Sequence, residues 1–308
     1  METYHALILG IVQGLTEFLP VSSSGHLALG QYIFNIKEPT LFFDISLHIG
    51  TLFAVVIVFF DNIKSICISI FEFLKLLGKS NINDIKNSIK NSSDIRFVLL
   101  IVVGSIPTAI IGLFLKQYVD ILFDSINFVG TMLLITGTFL WFTKDIKKDG
   151  FNLQADSKNQ NHDDEKVLYD NCGKIKTDVD IMNFGYKQAL FIGVAQGCAV
   201  VPGISRSGAT IAAGLFAGIE RETAAKFSFL LSIPAIVGAE MLGLKDVLYA
   251  GGSAAFINMK TLYGTIISFI VGYLALKLLL KIVRVGRLHL FAPYCWILGV
   301  VAIIAGVL

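Results

Sequence analysis

The chain is written as long apolar blocks separated by short polar stretches, and block length decides what each becomes. A helix needs about 20 mostly apolar residues to cross a hydrocarbon core about 30 Å thick. Six blocks approach that length, at residues 41–60, 97–115, 125–143, 227–244, 261–280 and 288–308, so the pattern predicts six transmembrane helices. Two further blocks, 5–34 and 185–219, are cut midway by clusters of Pro, Gly and Ser that leave halves too short to span. Each is expected to fold as a re-entrant helix–loop–helix hairpin. Broken backbone at membrane depth is tolerated only where protein buries it or where it lines a watery cavity. Both breaks therefore mark a functional cavity.

The two broken blocks also resemble one another. Gly10, Gln13, Gly14, Ser22, Ser24 and Gly25 match Gly193, Gln196, Gly197, Ser205, Ser207 and Gly208 at one offset of 183, and Pro20 and Pro202 miss it by one residue. Three spans follow each hairpin, and an odd number of crossings turns the second copy upside down. The fold class expected is an all-α polytopic membrane protein, with six transmembrane helices and two re-entrant hairpins arranged as an inverted-topology repeat. It forms one membrane domain over 1–308, made of repeat one (1–143), a polar loop (144–184) and repeat two (185–308). Many transporters are built this way, so architecture alone does not separate an enzyme from a carrier.

Composition agrees with the block pattern. Of 308 residues, 55% are hydrophobic and 16% charged, with a mean hydropathy of +0.72, whereas soluble domains run at about 45–50% and about 25%. A net charge of +2 supplies no field for nucleic acid. Cys67, Cys172, Cys198 and Cys295 are scattered without a CxxC pair, which writes neither a zinc site nor a disulfide framework. Glu2 stands where a signal peptide carries basic residues, and no small-residue cleavage site follows. All but four of the 25 basic residues (Lys37, Lys116, Lys245 and Lys260) fall on one side of the six-span topology. By the positive-inside rule that side is cytoplasmic, both termini lie outside, and the cavity of hairpin one opens outward. Residues 145–182 are polar, mixed in charge and without period, the composition of a solvated cytoplasmic loop. Nothing in the chain fixes oligomeric state, and a homodimer stays open.

The chemistry gathers at the two breaks. Gln13 and Glu17 stand four apart and share a helical face, and a carboxylate in an apolar segment is by default functional. Pro20 stops the helix, and Ser22, Ser23 and Ser24 crowd the turn before Gly25 and His26. One of these serines is expected merely to cap the next helix. In the second break Arg206 sits between Ser205 and Ser207, with Thr210 following, at a glycine-rich helix start. Exposed amides and a guanidinium fork suit a phosphate; a structural pair between Arg206 and Glu17 is the rival reading. Asp44 and His48 are candidates either to support the site or to anchor an interface. Glu240 reads as a residue near the outer end of its span, and Lys281, Arg284 and Arg287 as an inside anchor. One carboxylate, one amide, one histidine, several hydroxyls and one arginine fit a phosphate ester or anhydride with a divalent cation. A carbonyl-directed serine hydrolase would show a separate acidic partner for its histidine.

These residues carry a family resemblance. Gln13-Gly-Leu-Thr-Glu17-Phe-Leu-Pro-Val-Ser-Ser-Ser-Gly-His26 resembles the (Glu/Gln)xxxGlu and Pro-x-Ser-Ser-x-Gly-His elements of the undecaprenyl-diphosphate phosphatases, the bacterial bacitracin-resistance proteins. Pro202-Gly-Ile-Ser-Arg-Ser-Gly-Ala-Thr210 resembles their Pro-Gly-x-Ser-Arg-Ser-Gly-x-Thr. Position 13 is Gln where many members carry Glu. The resemblance implies a multi-pass protein of the bacterial inner (cytoplasmic) membrane that cleaves undecaprenyl diphosphate, drawn sideways from the bilayer, to undecaprenyl phosphate for cell-wall synthesis. It implies Glu17 and Gln13 on magnesium or calcium. Ser23 is then the nucleophile, or the group that positions a water, and His26 the general base. Arg206, Ser205, Ser207 and Thr210, with Ser22 and Ser24, hold the phosphates. The competing reading is a transporter or flippase for polyprenyl phosphates.

Overall fold

The computed structural model describes residues 2–36, 41–77, 92–123, 125–146, 184–249 and 258–307. Among these, all regular structure is helical. α1 (Thr3–Phe18) and α2 (Ser23–Ile33) come from the first broken block, and α7 (Tyr186–Cys198) and α8 (Arg206–Phe216) from the second. The six long apolar helices are α3 (Leu41–Val58), α5 (Ser93–Phe123), α6 (Ile126–Phe142), α9 (Arg221–Tyr249), α10 (Met259–Val285) and α11 (Ala292–Val307), the last preceded by a 3₁₀ turn at Leu288–Phe291. All six expected spans are present as helices long and apolar enough to cross a membrane. Several outrun their apolar blocks, because polar ends keep the helical bonds going after hydropathy falls.

One expectation is corrected. The stretch 61–96 lies between the first two expected spans, where no further helix was predicted, yet α4 (Phe60–Leu77) occupies its first part. Ile63 and Ile66 pack against the core, while Asp61, Lys64, Glu72 and Lys75 stay exposed. Such an amphipathic helix is too charged to register as a span and has the helical period of an interfacial one. The expected loop 145–182 falls almost wholly outside the described residues.

The two broken pairs are built alike. α1 lies along α10, α7 along α5, and the third long helices of the two halves, α6 and α11, pack on each other. Equivalent glycines make the close approaches. A Cβ on Gly10 would lie 2.7 Å from the Gly264 carbonyl oxygen, and one on Gly193 would overlap that of Gly104. Ser22 caps α2 by accepting from the Gly25 N–H (3.3 Å), and Ser205 caps α8 by accepting from the Gly208 N–H (3.1 Å). Against this frame pack the rings of Phe18, Phe59 and Phe229, with Phe18 the last residue of α1.

Candidate active site

Pro20 disfavours the helical conformation in the residue before it, and Leu19 is accordingly extended (φ −60°, ψ 142°). The chain then turns through Ser22, whose φ of 68° is left-handed and rare for a residue with a side chain. That turn throws Ser23 back over the last coil of α1. Its Oγ donates to Glu17 Oε2 at 2.6 Å. Arg206, the first residue of α8, donates from Nη2 to the other carboxylate oxygen, Oε1, at 2.7 Å. Gln13 Nε2 donates to Oε2 at 3.1 Å. The two breaks therefore meet at one carboxylate, whose residue is only 9% exposed.

Among the remaining expected site residues, several serve the frame. Ser22 is buried and caps, and Ser24 bonds to it (3.2 Å). Ser205 caps, Ser207 bonds Ser205 (3.3 Å), and Thr210 bonds the Arg206 carbonyl (2.8 Å) and the Ser228 hydroxyl. Of the three serines in the first turn, Ser23 is the one aimed at Glu17. Among the described hydrogen bonds none joins His26 to Ser23. Its Nδ1 lies 2.7 Å from the Ser22 carbonyl oxygen and its Nε2 2.7 Å from the Tyr294 hydroxyl.

Three neighbours were undervalued or missed. His48 of α3 puts Nε2 3.8 Å from Glu17 Oε2 and Nδ1 3.6 Å from Glu240 Oε1 of α9. These distances are too long for hydrogen bonds, while His48 Nδ1 donates to the Asp44 carbonyl at 2.9 Å. Gln31 Nε2 reaches both carboxylate oxygens of Asp44, at 3.0 and 3.1 Å. Glu240 thus faces His48, which in turn faces Glu17, a neighbourhood that its hydropathy context conceals. Tyr294, late in the chain, carries no spacing signal at all.

The donor set also suits a cation in part. Gln13 Oε1 is buried with no hydrogen-bond partner, a hard oxygen left open beside the Glu17 carboxylate. Among the described residues no cluster of three or more His, Cys, Asp or Glu has the geometry to hold a metal. Gln13 and Glu17 together therefore need oxygens from another molecule to complete a hard cation's shell.

The chain is similar along its length to known proteins. The model of the family described as bacitracin resistance protein BacA matches residues 6–301. Undecaprenyl-diphosphatase of Desulforapulum autotrophicum is 52% identical over 99% of both chains, and that of Desulfosudis oleivorans 49% identical over 99% of both. Undecaprenyl-diphosphatase of Carboxydothermus hydrogenoformans is 41% identical over 99% of this chain and 97% of its own. With six membrane-length helices and the match running from α1 into α11, this chain belongs to the bacitracin resistance protein BacA family.

Proposed function

We propose that the protein is an undecaprenyl-diphosphate phosphatase, which hydrolyses undecaprenyl diphosphate to undecaprenyl phosphate and inorganic phosphate and so returns the lipid carrier to cell-wall synthesis. The observation that carries it is a hydroxyl, a carboxylate and a guanidinium joined end to end: Ser23 Oγ to Glu17 Oε2, Glu17 Oε1 to Arg206 Nη2. Relatives named undecaprenyl-diphosphatase at up to 52% identity supply the substrate. A flippase has no need of a hydroxyl poised on a carboxylate, and that alternative is not favoured.

Phosphoryl transfer asks chiefly for positioning and charge neutralisation. Ser23 Oγ attacks the terminal phosphorus, the bond from phosphorus to the bridging oxygen breaks, and undecaprenyl phosphate leaves. The Ser23 proton passes to Glu17 Oε2. Glu17 hands that proton to the departing undecaprenyl phosphate and is a carboxylate again; it then takes a proton from the water that attacks the phosphoserine, the bond from phosphorus to Ser23 Oγ breaks, Glu17 returns the proton to Ser23 Oγ, and inorganic phosphate departs. For the base role first assigned to His26, Glu17 is better placed, since both His26 ring nitrogens are held elsewhere. Arg206 trades its Glu17 partner for phosphate oxygens, with the N-terminal amides of α8 behind it. Gln13 Oε1 and Glu17 would hold a divalent cation, magnesium or calcium, which would supply charge neutralisation to the phosphates.

The architecture we infer is two re-entrant hairpins in an inverted repeat, 1–143 and 185–308, in the bacterial inner membrane. The cavity faces outward, both termini lie outside, and the loop 144–184 is cytoplasmic. Matching caps at Ser22 and Ser205 and matching glycine approaches support the repeat. Release of phosphate from undecaprenyl diphosphate by the purified protein tests the activity; no release at any cation concentration overturns it. An impermeant thiol label tests the orientation. It should reach Lys245→Cys in intact cells and Lys158→Cys only after the membrane is opened.

A further inference from the structure

We propose that α11 clamps the serine turn of the first break, with Tyr294 and Cys295 as positioning residues for Ser23. The proposal rests on Ser23 being the nucleophile. Its physical motive is the turn itself. Ser22 holds a left-handed φ of 68°, a conformation that persists only when the surroundings fix it. A turn free to relax would carry Ser23 away from the 2.6 Å contact with Glu17.

Two adjacent residues of α11 grip the chain on either side of that turn. Cys295, fully buried, donates its S–H to the Pro20 carbonyl at 3.6 Å, two residues before Ser22. Tyr294 grips His26, four residues after it. The Ser22 carbonyl can only accept, so His26 Nδ1 carries the ring proton and the neutral ring offers a lone pair at Nε2. The Tyr294 hydroxyl donates to that lone pair at 2.7 Å, with the two rings parallel to within 3°. The sequence Tyr294 to His26 to the Ser22 carbonyl thus ends on the strained residue itself. α11 is a firm base for such a clamp. Gly299 lies against Gly130 of α6, and Trp296 Nε1 donates to Thr138 Oγ1 at 3.3 Å. His26 thereby acquires a role as the link between Tyr294 and the turn.

The test has one arm that does not depend on turnover. In a chain carrying Ser23→Cys, with Cys67, Cys172 and Cys198 changed to Ser, the maleimide labelling rate at position 23 should rise several-fold when Tyr294→Phe is added. In the otherwise unsubstituted protein, Tyr294→Phe should lower kcat by about 10-fold with KM nearly unchanged, the scale of a sub-ångström misplacement. Tyr294→Phe combined with His26→Ala should be no worse than His26→Ala alone, because both cut one connection. Cys295→Ser, which keeps a donor, should hold more kcat than Cys295→Ala, and this pair decides the matter if Tyr294→Phe melts at a markedly lower temperature. Unchanged labelling at position 23 with Tyr294→Phe overturns the clamp whether or not the protein turns over. So does unchanged kcat in an active protein, or additive losses in the double variant. An unsubstituted protein that releases no phosphate, while labelling responds to Tyr294→Phe, sinks the phosphatase reading and leaves the clamp standing.

Discussion

The α1–α2 and α7–α8 breaks share a frame and differ in what the frame presents. At the common offset of 183, Ser23 corresponds to Arg206, each between two serines, Glu17 corresponds to Val200, and His26 to Ala209. Both first serines cap, and both pairs of flanking hydroxyls bond each other at 3.2 and 3.3 Å. One slot at the tip therefore holds a hydroxyl in the first break and a guanidinium in the second, the pair to which we assign nucleophilic attack and phosphate binding. Glu17 touches both, and Val200 leaves the second break without a carboxylate of its own. On the function proposed above, the two similar breaks divide the labour: the first bears the reacting groups, and the second lends a charge. The buried amides follow suit. Gln13 faces Glu17, whereas Gln196 spends its donors on Thr108 Oγ1 and the Leu231 carbonyl.

The largest effect should come from removing the cation. Excess chelator should abolish phosphate release while circular dichroism shows the helices intact, because one carboxylate and one amide do not hold the fold together. Activity that survives chelation would return Glu17 to acid–base work and Arg206 pairing alone. Next, Glu17→Gln should cut kcat by about 1,000-fold, and Val200→Glu added to it should restore nothing, since the second break has no hydroxyl at the Ser23 slot. Recovery in that double variant would show the two breaks to be interchangeable. Third, the two occupants of the shared slot should separate kinetically. Ser23→Ala should lower kcat by about 100-fold with substrate binding kept, while Arg206→Lys, which keeps the charge but loses the fork, should raise KM as well. Fourth, the two caps should cost alike in stability, about 1 kcal/mol each for Ser22→Ala and Ser205→Ala, but only Ser22→Ala should also slow turnover appreciably. Equal kinetic losses would mean that both turns are equally exacting. Smallest of all, His48→Gln should lower kcat only a few-fold, because its contacts to Glu17 and Glu240 are 3.8 and 3.6 Å; steady-state kinetics resolves this from the larger losses.

Much of this was legible in the chain. Glu17, Arg206 and the serine turn stand out because polar groups in apolar segments are costly enough to need a purpose. The six long helices announce themselves through length and hydropathy. What escaped notice did so for identifiable reasons. α4 alternates apolar and charged positions at helical period and so never forms an apolar block. Glu240 sits late in its span, where a charged side chain at the water boundary looks the same as one turned into a cavity. Tyr294 is separated from His26 by 268 residues, and no spacing rule links them.

By itself, the sequence determined the helical class, the six membrane-length helices, the kinship of the two breaks and the set of groups available for phosphate chemistry. Each of these follows from local composition and from periods of a few residues, which the chain carries whether folded or not. Only the tertiary structure decided which of three serines faces the carboxylate, that Arg206 and Ser23 converge on the same Glu17, and that His26 is held by Tyr294. Those facts depend on the direction in which a strained turn points and on which helices lie side by side. Both are set by glycine-level approaches between segments far apart in the chain, where a difference of one ångström selects one partner over another.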